Sequence, residues 1–147
     1  MEVKTKISVL IVDDEPLARE RVRDLLRRYD DIDIVGEAAD GRKAVTAIRR
    51  KKPDLVFLDV QMPEMDGFCV FAELEPENLP VIIFVTAYDK YAVQAFEVNA
   101  LDYLLKPFDR RRLESALGRA RQILALREQG EFNRRISDLP ADSSSAI

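Results

Sequence analysis

The side chains of this sequence that could do chemistry come directly after short apolar runs. Four such runs end in a polar residue, and each supplies a different group: a pair of carboxylates, a single carboxylate, a hydroxyl and an amine. In chain order these residues are Asp13 with Asp14, Asp59, Thr86 and Lys106. Neighbouring carboxylates repel one another, and a divalent cation relieves that repulsion. A carboxylate nucleophile, a cation, an amine and a hydroxyl together suit in-line phosphoryl transfer.

Oxygen atoms are the only ligands that this set offers to a metal. The chain has no histidine and a single cysteine, and oxygen ligands favour Mg²⁺, or Mn²⁺, over Zn²⁺. Asp59 is the candidate nucleophile, which would form an aspartyl phosphate. Taken singly, the residues have plainer interpretations: Asp13 and Asp14 could cap a helix, and Lys106 could be a solvated surface lysine. Their joint placement after apolar runs favours a site.

The elements that must position these residues alternate between strand and helix. Short apolar runs predict strands at residues 7–12, 32–37, 55–58, 81–85 and 103–105. Apolar residues at helical spacing predict helices from residue 16 to about 29, from about 44 to 52, from about 68 to 74, from about 91 to 98 and from about 109 onward. The second strand alternates in polarity, which is typical of a sheet edge.

Five strand–helix units predict an α/β fold. We expect a flavodoxin-like, doubly wound, five-stranded parallel sheet of order 2-1-3-4-5, with five helices in a single domain. The carboxyl ends of parallel strands share one edge, so residues about 90 positions apart in sequence become neighbours there. We expect the domain at residues 1–125, followed by a helix end and a linker or disordered tail at 126–147.

Composition limits the classes of function. The chain has 147 residues and a net charge of −4, which gives no indication of nucleic-acid binding by the chain as a whole. No signal peptide or membrane span is visible, so a cytoplasmic protein that does not bind membranes is expected. The lone Cys69 cannot form an intrachain disulfide, and we expect it to be an unreactive packing residue.

Four motifs resemble one known family. They are Leu-Ile-Val-Asp-Asp-Glu at 10–15, Leu-Asp-Val-Gln-Met-Pro-Glu-Met-Asp-Gly at 58–67, Val-Thr-Ala at 85–87 and Leu-Lys-Pro at 105–107. With their order and spacing, the sequence resembles the receiver domain of bacterial two-component response regulators over roughly residues 7–125. The resemblance implies that a histidine kinase transfers a phosphoryl group to Asp59. Asp13 or Asp14 would then bind Mg²⁺ with Asp59 and the backbone carbonyl of Gln61.

The resemblance also implies a switch. Lys106 would pair with the phosphoryl group, Thr86 would move to hydrogen-bond it, and Tyr103 would change rotamer. The bond between Lys106 and Pro107 would be a cis peptide. The response would appear on the face formed by the fourth predicted helix, the fifth strand and the fifth helix, and would promote homodimerisation.

A finer resemblance concerns the class of regulator. Residues 86–97 and 99–108 look like the receivers of the LytTR (AlgR/LytR-type) class, in which a C-terminal domain binds DNA. The chain ends at Ile147, so no nucleic acid is expected to bind to it directly. It is expected to be either a receiver fragment with the start of its linker or a short regulator.

Other functions were compared with this one. An aspartyl-phosphate phosphatase would carry a second aspartate two residues after the nucleophile, where this chain has Gln61. A flavodoxin-like cofactor binder would have a Gly-, Ser- and Thr-rich loop after the first strand. We therefore expect no turnover enzyme, only self-catalysed phosphoryl acceptance and autodephosphorylation. A receiver-like dimerisation module that acts without phosphorylation remains the alternative.

Arginines on the last predicted helix are expected to lie beside acids such as Asp102 and Glu97, and they allow two interpretations. They would either form a solvated charged face or make ion pairs between the subunits of a symmetric dimer. The residues are Arg110, Arg111, Arg112, Arg119 and Arg121.

Overall fold

One parallel sheet positions the candidate residues. The computed structural model describes residues 6–87 and 100–137, with side chains in the second range as far as residue 131. Its strands are β1 (Ile7–Val12), β2 (Ile32–Ala38), β3 (Leu55–Asp59), β4 (Val81–Thr86) and β5 (Asp102–Leu105). They are all parallel and lie in the order β2-β1-β3-β4-β5. This confirms the predicted sheet and its strand order.

Helices cover both faces of the sheet. Within the described residues they are α1 (Pro16–Leu26), α2 (Gly41–Lys51), α3 (Gly67–Ala72) and α4 (Arg110–Ser137), with a 3₁₀ turn at Pro76–Asn78. The described chain thus contains four α-helices where five were expected. The remaining expected helix, over 91–98, lies outside the described residues. No helix of the described ranges has the length and apolar content needed to cross a bilayer.

Alternate residues of the inner strands supply two separate cores. In β1, Leu10 and Val12 pack in the cluster that contains α2 and α3, whereas Val9 and Ile11 pack in the cluster that contains α1 and α4. Side chains of a strand point alternately to its two faces, so a strand covered on both sides must be apolar throughout. This is why the inner strands read as unbroken apolar runs. β2 lies at the edge, as predicted, and exposes Asp33.

Some details differ from the expectations. Helix α1 ends at Leu26 rather than near Tyr29. Beyond it the chain turns, and Tyr29 packs against the core while its hydroxyl donates to Glu114 of α4 at 2.8 Å. Cys69 is exposed, so the expectation that it is a packing residue is wrong, and its interaction with the neighbouring Asp66 raises the pKa of its thiol. Helix α4 runs without interruption across the expected boundary at residue 125.

Candidate functional site

Three carboxylates meet where β1 and β3 end. Val12 lies opposite Leu58 in the register of these strands, so the residues that follow, Asp13 and Asp59, are neighbours. One carboxylate oxygen each from Asp13, Asp14 and Asp59 lie within 4.8 Å of one another. Asp13 is 4% exposed and Asp59 is 3% exposed, while Asp14 is half-buried. The topology therefore concentrates negative charge at a largely dry edge of the sheet.

Lys106 supplies an amine to this cluster. Its Nζ lies 2.9 Å from Asp13 Oδ2 and 3.9 Å from Asp59 Oδ2. Its backbone N–H donates to the carbonyl of Thr86 at 2.7 Å, which fixes the loop after β5 against the end of β4. The peptide bond from Lys106 to Pro107 is cis, as the sequence resemblance implied. One ammonium group thus faces three acids.

The electrostatics of the cluster reflect this imbalance. Burial, and then the charge of Asp13, raise the pKa of Asp59 to about 8, although Lys106 acts in the opposite direction. Burial lowers the pKa of Lys106, but its hydrogen bond to Asp13 and the charges of Asp59 and Asp13 outweigh that effect and raise it. The surroundings of Asp59 within the chain therefore favour its protonated form more than water does.

Asp13 is held through both its backbone and its side chain. Its backbone N–H donates to the carbonyl of Ala38 on β2 at 3.1 Å. The Glu15 N–H donates to its Oδ1 at 3.0 Å, and Arg19 Nη1 donates to its backbone carbonyl at 2.7 Å. The contact with Arg19 could not be predicted from the sequence, because it depends on the path of a long side chain from α1. Asp13 is therefore strongly constrained.

The loop after Asp59 folds back tightly on β3. The Gln61 N–H donates to Asp59 Oδ1 at 3.2 Å, and the Gly67 N–H donates to the carbonyl of Val60 at 2.9 Å. A Cβ atom at Gly67 would lie 2.5 Å from the backbone oxygen of Asp59, so this close approach requires glycine. Glu64 adopts a left-handed φ of 68°. The loop thereby brings the backbone of Gln61 beside the candidate nucleophile.

Thr86 and Tyr103 lie on the two neighbouring strands. Thr86 ends β4, is 1% exposed and pairs with Leu105 in the register of β4 and β5. Tyr103 is opposite Phe84 and is half-buried against the core cluster to which Phe84 belongs. The structure therefore places the expected switch residues on adjoining strands, with Thr86 one residue beyond the position that pairs with Asp59.

Comparisons with known proteins identify the family. The profile of the response regulator receiver domain matches residues 9–118. The chain belongs to the response regulator receiver family. It is 54% identical over 116 residues to the transcriptional regulatory protein BtsR of Salmonella typhi, an alignment that covers 79% of this chain and 48% of that protein. The chain thus spans about half the length of the curated relatives it matches.

Solved receiver domains have the same fold. The receiver domain of AraT from Geobacillus stearothermophilus is 35% identical, with a TM-score of 0.74 over 83% of this chain and 98% of that one. A CheX–CheY–BeF3–Mg²⁺ complex from Borrelia burgdorferi matches at 26% identity and a TM-score of 0.69, over 76% of this chain and 86% of the matched chain. The chain is therefore a receiver domain of a two-component response regulator in both sequence and fold.

The acidic cluster fits the ion that receiver domains bind. Receiver domains bind Mg²⁺ at such a cluster, and Asp13, Asp14 and Asp59 offer only oxygen ligands. Mg²⁺ typically takes one or two carboxylates and keeps several waters, which suits two buried acids and one that reaches solvent. Burial, and then the charge of Asp13, raise the pKa of Asp59, so a cation bound beside it would favour its charged form.

The arginines of α4 form ion pairs within the chain. Arg112 donates to both carboxylate oxygens of Asp102, at 2.7 and 3.2 Å, and Arg119 donates to one of them at 3.1 Å. Arg121 binds Asp31 through two hydrogen bonds of 2.7 and 2.9 Å. Three of the five arginines therefore have acidic partners in their own chain, and one of those acids, Asp102, was expected to lie beside them.

Proposed function

We propose that Asp59 accepts a phosphoryl group in a Mg²⁺-dependent reaction. The observation that carries this proposal is the meeting of Asp59 with two further carboxylates and with the ammonium of Lys106, 3.9 Å away. A buried nucleophile, ligands for a hard cation and a neighbouring positive charge are the parts that phosphoryl transfer needs. Membership of the receiver family supports the same chemistry.

The reaction forms one bond and breaks one. A carboxylate oxygen of Asp59 attacks phosphorus while the bond to the leaving group breaks, and the leaving group keeps that electron pair. The leaving group is the imidazole nitrogen of a phosphohistidine on a sensor kinase, or acetate when acetyl phosphate is the donor. Asp13 or Asp14, Asp59 and the backbone carbonyl of Gln61 would hold Mg²⁺, which would supply neutralising charge. Mn²⁺ would serve in the same way.

Lys106 is expected to stabilise the phosphoryl group once it is bound to Asp59. Lys106 already contacts Asp13 and lies near Asp59, so a small movement brings its ammonium onto the new phosphoryl oxygens. Water later attacks the aspartyl phosphate and restores the carboxylate with release of inorganic phosphate. The domain is thus a self-catalysed acceptor rather than a turnover enzyme. The matched CheX–CheY–BeF3–Mg²⁺ complex contains the cation that is proposed here.

The switch follows from the elements that adjoin the site. The hydroxyl of Thr86 hydrogen-bonds the phosphoryl group, and Tyr103 changes rotamer into the space that Thr86 leaves. The domain exists in an inactive and an active conformation before phosphorylation. The phosphoryl group can shift the equilibrium between them only by interacting differently with the two. The shift alters the face made by the expected helix over 91–98, β5 and α4, and that face then pairs with a second copy. The half-buried position of Tyr103 supports this route.

The proposed partners follow from the relatives. We propose a sensor histidine kinase as the phosphoryl donor and a DNA-binding output domain of the LytTR class in the whole protein, with a cytoplasmic location. The chain spans about half of relatives that are named transcriptional regulatory proteins, which supports an output domain beyond the receiver. The receiver itself is not proposed to bind DNA or membranes.

Intact-mass spectrometry after incubation with acetyl phosphate tests the proposal. The wild-type chain is expected to gain one phosphoryl group with Mg²⁺ and none with EDTA. Asp59→Asn is expected to gain none, whereas Asp33→Asn, which changes an exposed aspartate of β2, behaves as the wild type. A wild-type chain that gains no phosphoryl group in any condition would leave the phosphorylation-independent dimerisation module as the better account.

A further inference from the structure

Arg19 of α1 joins the acidic loop to the edge strand of the sheet. Its Nη1 donates to the backbone carbonyl of Asp13 at 2.7 Å, and its Nε donates to Glu37 Oε1 at 3.3 Å. The other carboxylate oxygen of Glu37 accepts from Arg23 Nη1 at 2.6 Å. The side chains of Arg19 and Glu37 are only 19% and 25% exposed. The guanidinium of Arg19 is thus fixed from two sides.

The carbonyl that Arg19 binds belongs to the peptide between two candidate metal ligands. The other anchors of Asp13 are the Ala38 carbonyl, the Glu15 N–H and the ammonium of Lys106. They hold its backbone N–H and its carboxylate, but among the described residues only Arg19 is seen to hold its carbonyl. Because the peptide group is planar, the direction of that carbonyl sets the path of the chain into Asp14.

We propose that Arg19, oriented by Glu37, is a positioning residue for the divalent cation of the acidic site. By fixing the peptide between Asp13 and Asp14, it keeps both carboxylates converging on Asp59. The inference rests on the proposed function only in taking the acidic cluster as the cation site. Contacts of this kind, one step removed from the metal, commonly change metal affinity by about 10- to 100-fold when removed.

Charge alone predicts the opposite effect. The guanidinium is positive and lies beside Asp13, so it repels a divalent cation at the cluster. If Arg19 acted only through its charge, its removal would strengthen metal binding. If it acts through position, its removal weakens metal binding. The sign of the change therefore separates the two roles.

The geometry also requires arginine rather than lysine. The planar guanidinium presents several donors at once, and here two of them reach different acceptors. A lysine at position 19 keeps the charge but has a single ammonium on a flexible stem. Arg19→Lys therefore tests shape at constant charge, and Glu37→Gln tests the group that orients the guanidinium.

Arg23→Ala is the matched control. Arg23 lies on the same helix and binds the same Glu37, but no contact between it and Asp13 is seen in the described structure. It therefore reports what loss of the α1–β2 ion pairing does to stability, without loss of the carbonyl contact.

The experiment measures binding of Mn²⁺ to the full chain by electron paramagnetic resonance, and of Mg²⁺ by calorimetry. Arg19→Ala is expected to bind both ions about tenfold more weakly, and Arg19→Lys and Glu37→Gln about three- to fivefold more weakly. Arg23→Ala is expected to stay within twofold of the wild type, although its thermal midpoint falls. At saturating Mg²⁺ the rate of phosphorylation by acetyl phosphate should return to the wild-type value in Arg19→Lys.

Tight metal binding by the variants would overturn the inference. Unchanged or stronger binding by Arg19→Ala, or by Arg19→Lys should the alanine variant not fold, would show that Arg19 does not position the ligands. A loss in Arg23→Ala as large as that in Arg19→Ala would show a general effect of stability. Metal binding is read without phosphorylation, so a wild type that binds Mn²⁺ but gains no phosphoryl group would refute the proposed function alone.

Discussion

Two buried aspartates of this sheet, one at the end of β3 and the other at the start of β5, have opposite surroundings. Asp59 is 3% exposed and shares its site with two further acids and one lysine. Asp102 is 5% exposed and is bound by two guanidinium groups, from Arg112 and Arg119. Burial is nearly equal, so burial does not distinguish a reactive carboxylate from a structural one. The distinguishing quantity is the balance of charge around it.

The carboxylate of Asp102 is neutralised by arginines of its own chain. The cluster around Asp59 needs a further cation from solution. A buried carboxylate with matched donors stabilises the native state, because breaking the pairing leaves charges without partners. A buried carboxylate among like charges destabilises it, and the site is then ready to bind a cation. The comparison predicts that equivalent changes at the two sites have effects of opposite sign.

The largest expected effect is on the rate of phosphorylation. Lys106→Ala removes the only ammonium seen at the acidic cluster in the described structure, and should lower the rate with acetyl phosphate by about 100-fold. Rates are read by intact mass against time. Lys43→Ala, which truncates an exposed lysine of α2, is the control and should leave the rate unchanged. A loss of less than about threefold in Lys106→Ala would show that charge at this position is dispensable.

Asp102→Asn tests the buried aspartate that is paired with arginines. It leaves Arg112 and Arg119 without their shared carboxylate, and should lower the free energy of unfolding by about 1–2 kcal/mol. The loss is smaller than for a fully buried pair because the two arginine side chains are 36% and 56% exposed, so water takes over part of the interaction. Urea titration measures it. An unchanged midpoint would mean that the cluster contributes nothing to stability.

Asp59→Asn makes the same chemical change at the aspartate that lies among other acids. It should stabilise the metal-free protein by about 1–2 kcal/mol near pH 7.5. The folded-state pKa of Asp59, about 8, lies above its unfolded value. The folded state therefore holds a proton that the unfolded state releases above about pH 4, and wild-type stability falls as pH rises from about 4 to 8. The advantage of the variant should vanish near pH 4. Thermal melts in EDTA between about pH 4 and 8 measure this. Destabilisation of both Asp59→Asn and Asp102→Asn would contradict the comparison.

The affinity for Mg²⁺ should rise with pH by up to about tenfold per unit below pH 8 and then level off. Binding requires Asp59 as a carboxylate, and its pKa is raised to about 8, so the metal displaces a proton at neutral pH. Calorimetry at pH 6, 7 and 8 in buffers of different ionisation enthalpy measures both the affinity and the proton released. If the affinity for Mg²⁺ did not change with pH, the raised pKa would not belong to Asp59.

Arg119→Ala should have the smallest effect, a loss of about 0.5 kcal/mol or less in the free energy of unfolding. Arg119 makes one hydrogen bond to Asp102 and its side chain is 56% exposed, whereas Arg112 makes two and also donates to the carbonyl of Tyr103 at 2.7 Å. Arg112→Ala is the comparison variant and should cost more. Equal losses in urea titrations would show that the two arginines share the carboxylate evenly.

Much of the fold was predictable because apolar runs and topology dictate it. Strands covered on both faces must be apolar throughout, and four of the five strands end at or just before a polar residue, so Asp59 and Thr86 could be placed from the sequence alone. Parallel pairing then put Asp13 and Asp59 side by side. These inferences need only the periodicity of the chain and the rule that parallel strands end at one edge.

The contacts of long side chains were not predictable in the same way. Arg19 reaches the carbonyl of Asp13, and Arg121 reaches Asp31, which is 90 positions away in sequence. Such pairs depend on how each helix is rotated against the sheet and on which rotamer a flexible side chain adopts. The sequence placed the arginines of α4 beside Asp102, but apolar periodicity does not identify which acid each arginine will bind, so the individual pairs could not be predicted.

Gly67 has no chemistry of its own, yet it limits how this domain can change during evolution. Its missing Cβ leaves room for the backbone oxygen of Asp59, and any side chain there would push α3 away from the end of β3. A library that randomises residues 60–67 and is selected for phosphorylation should therefore return glycine at this position, while the exposed Gln61 and Glu64 vary. The most restricted position of the loop would then be the one that contributes no reactive atom.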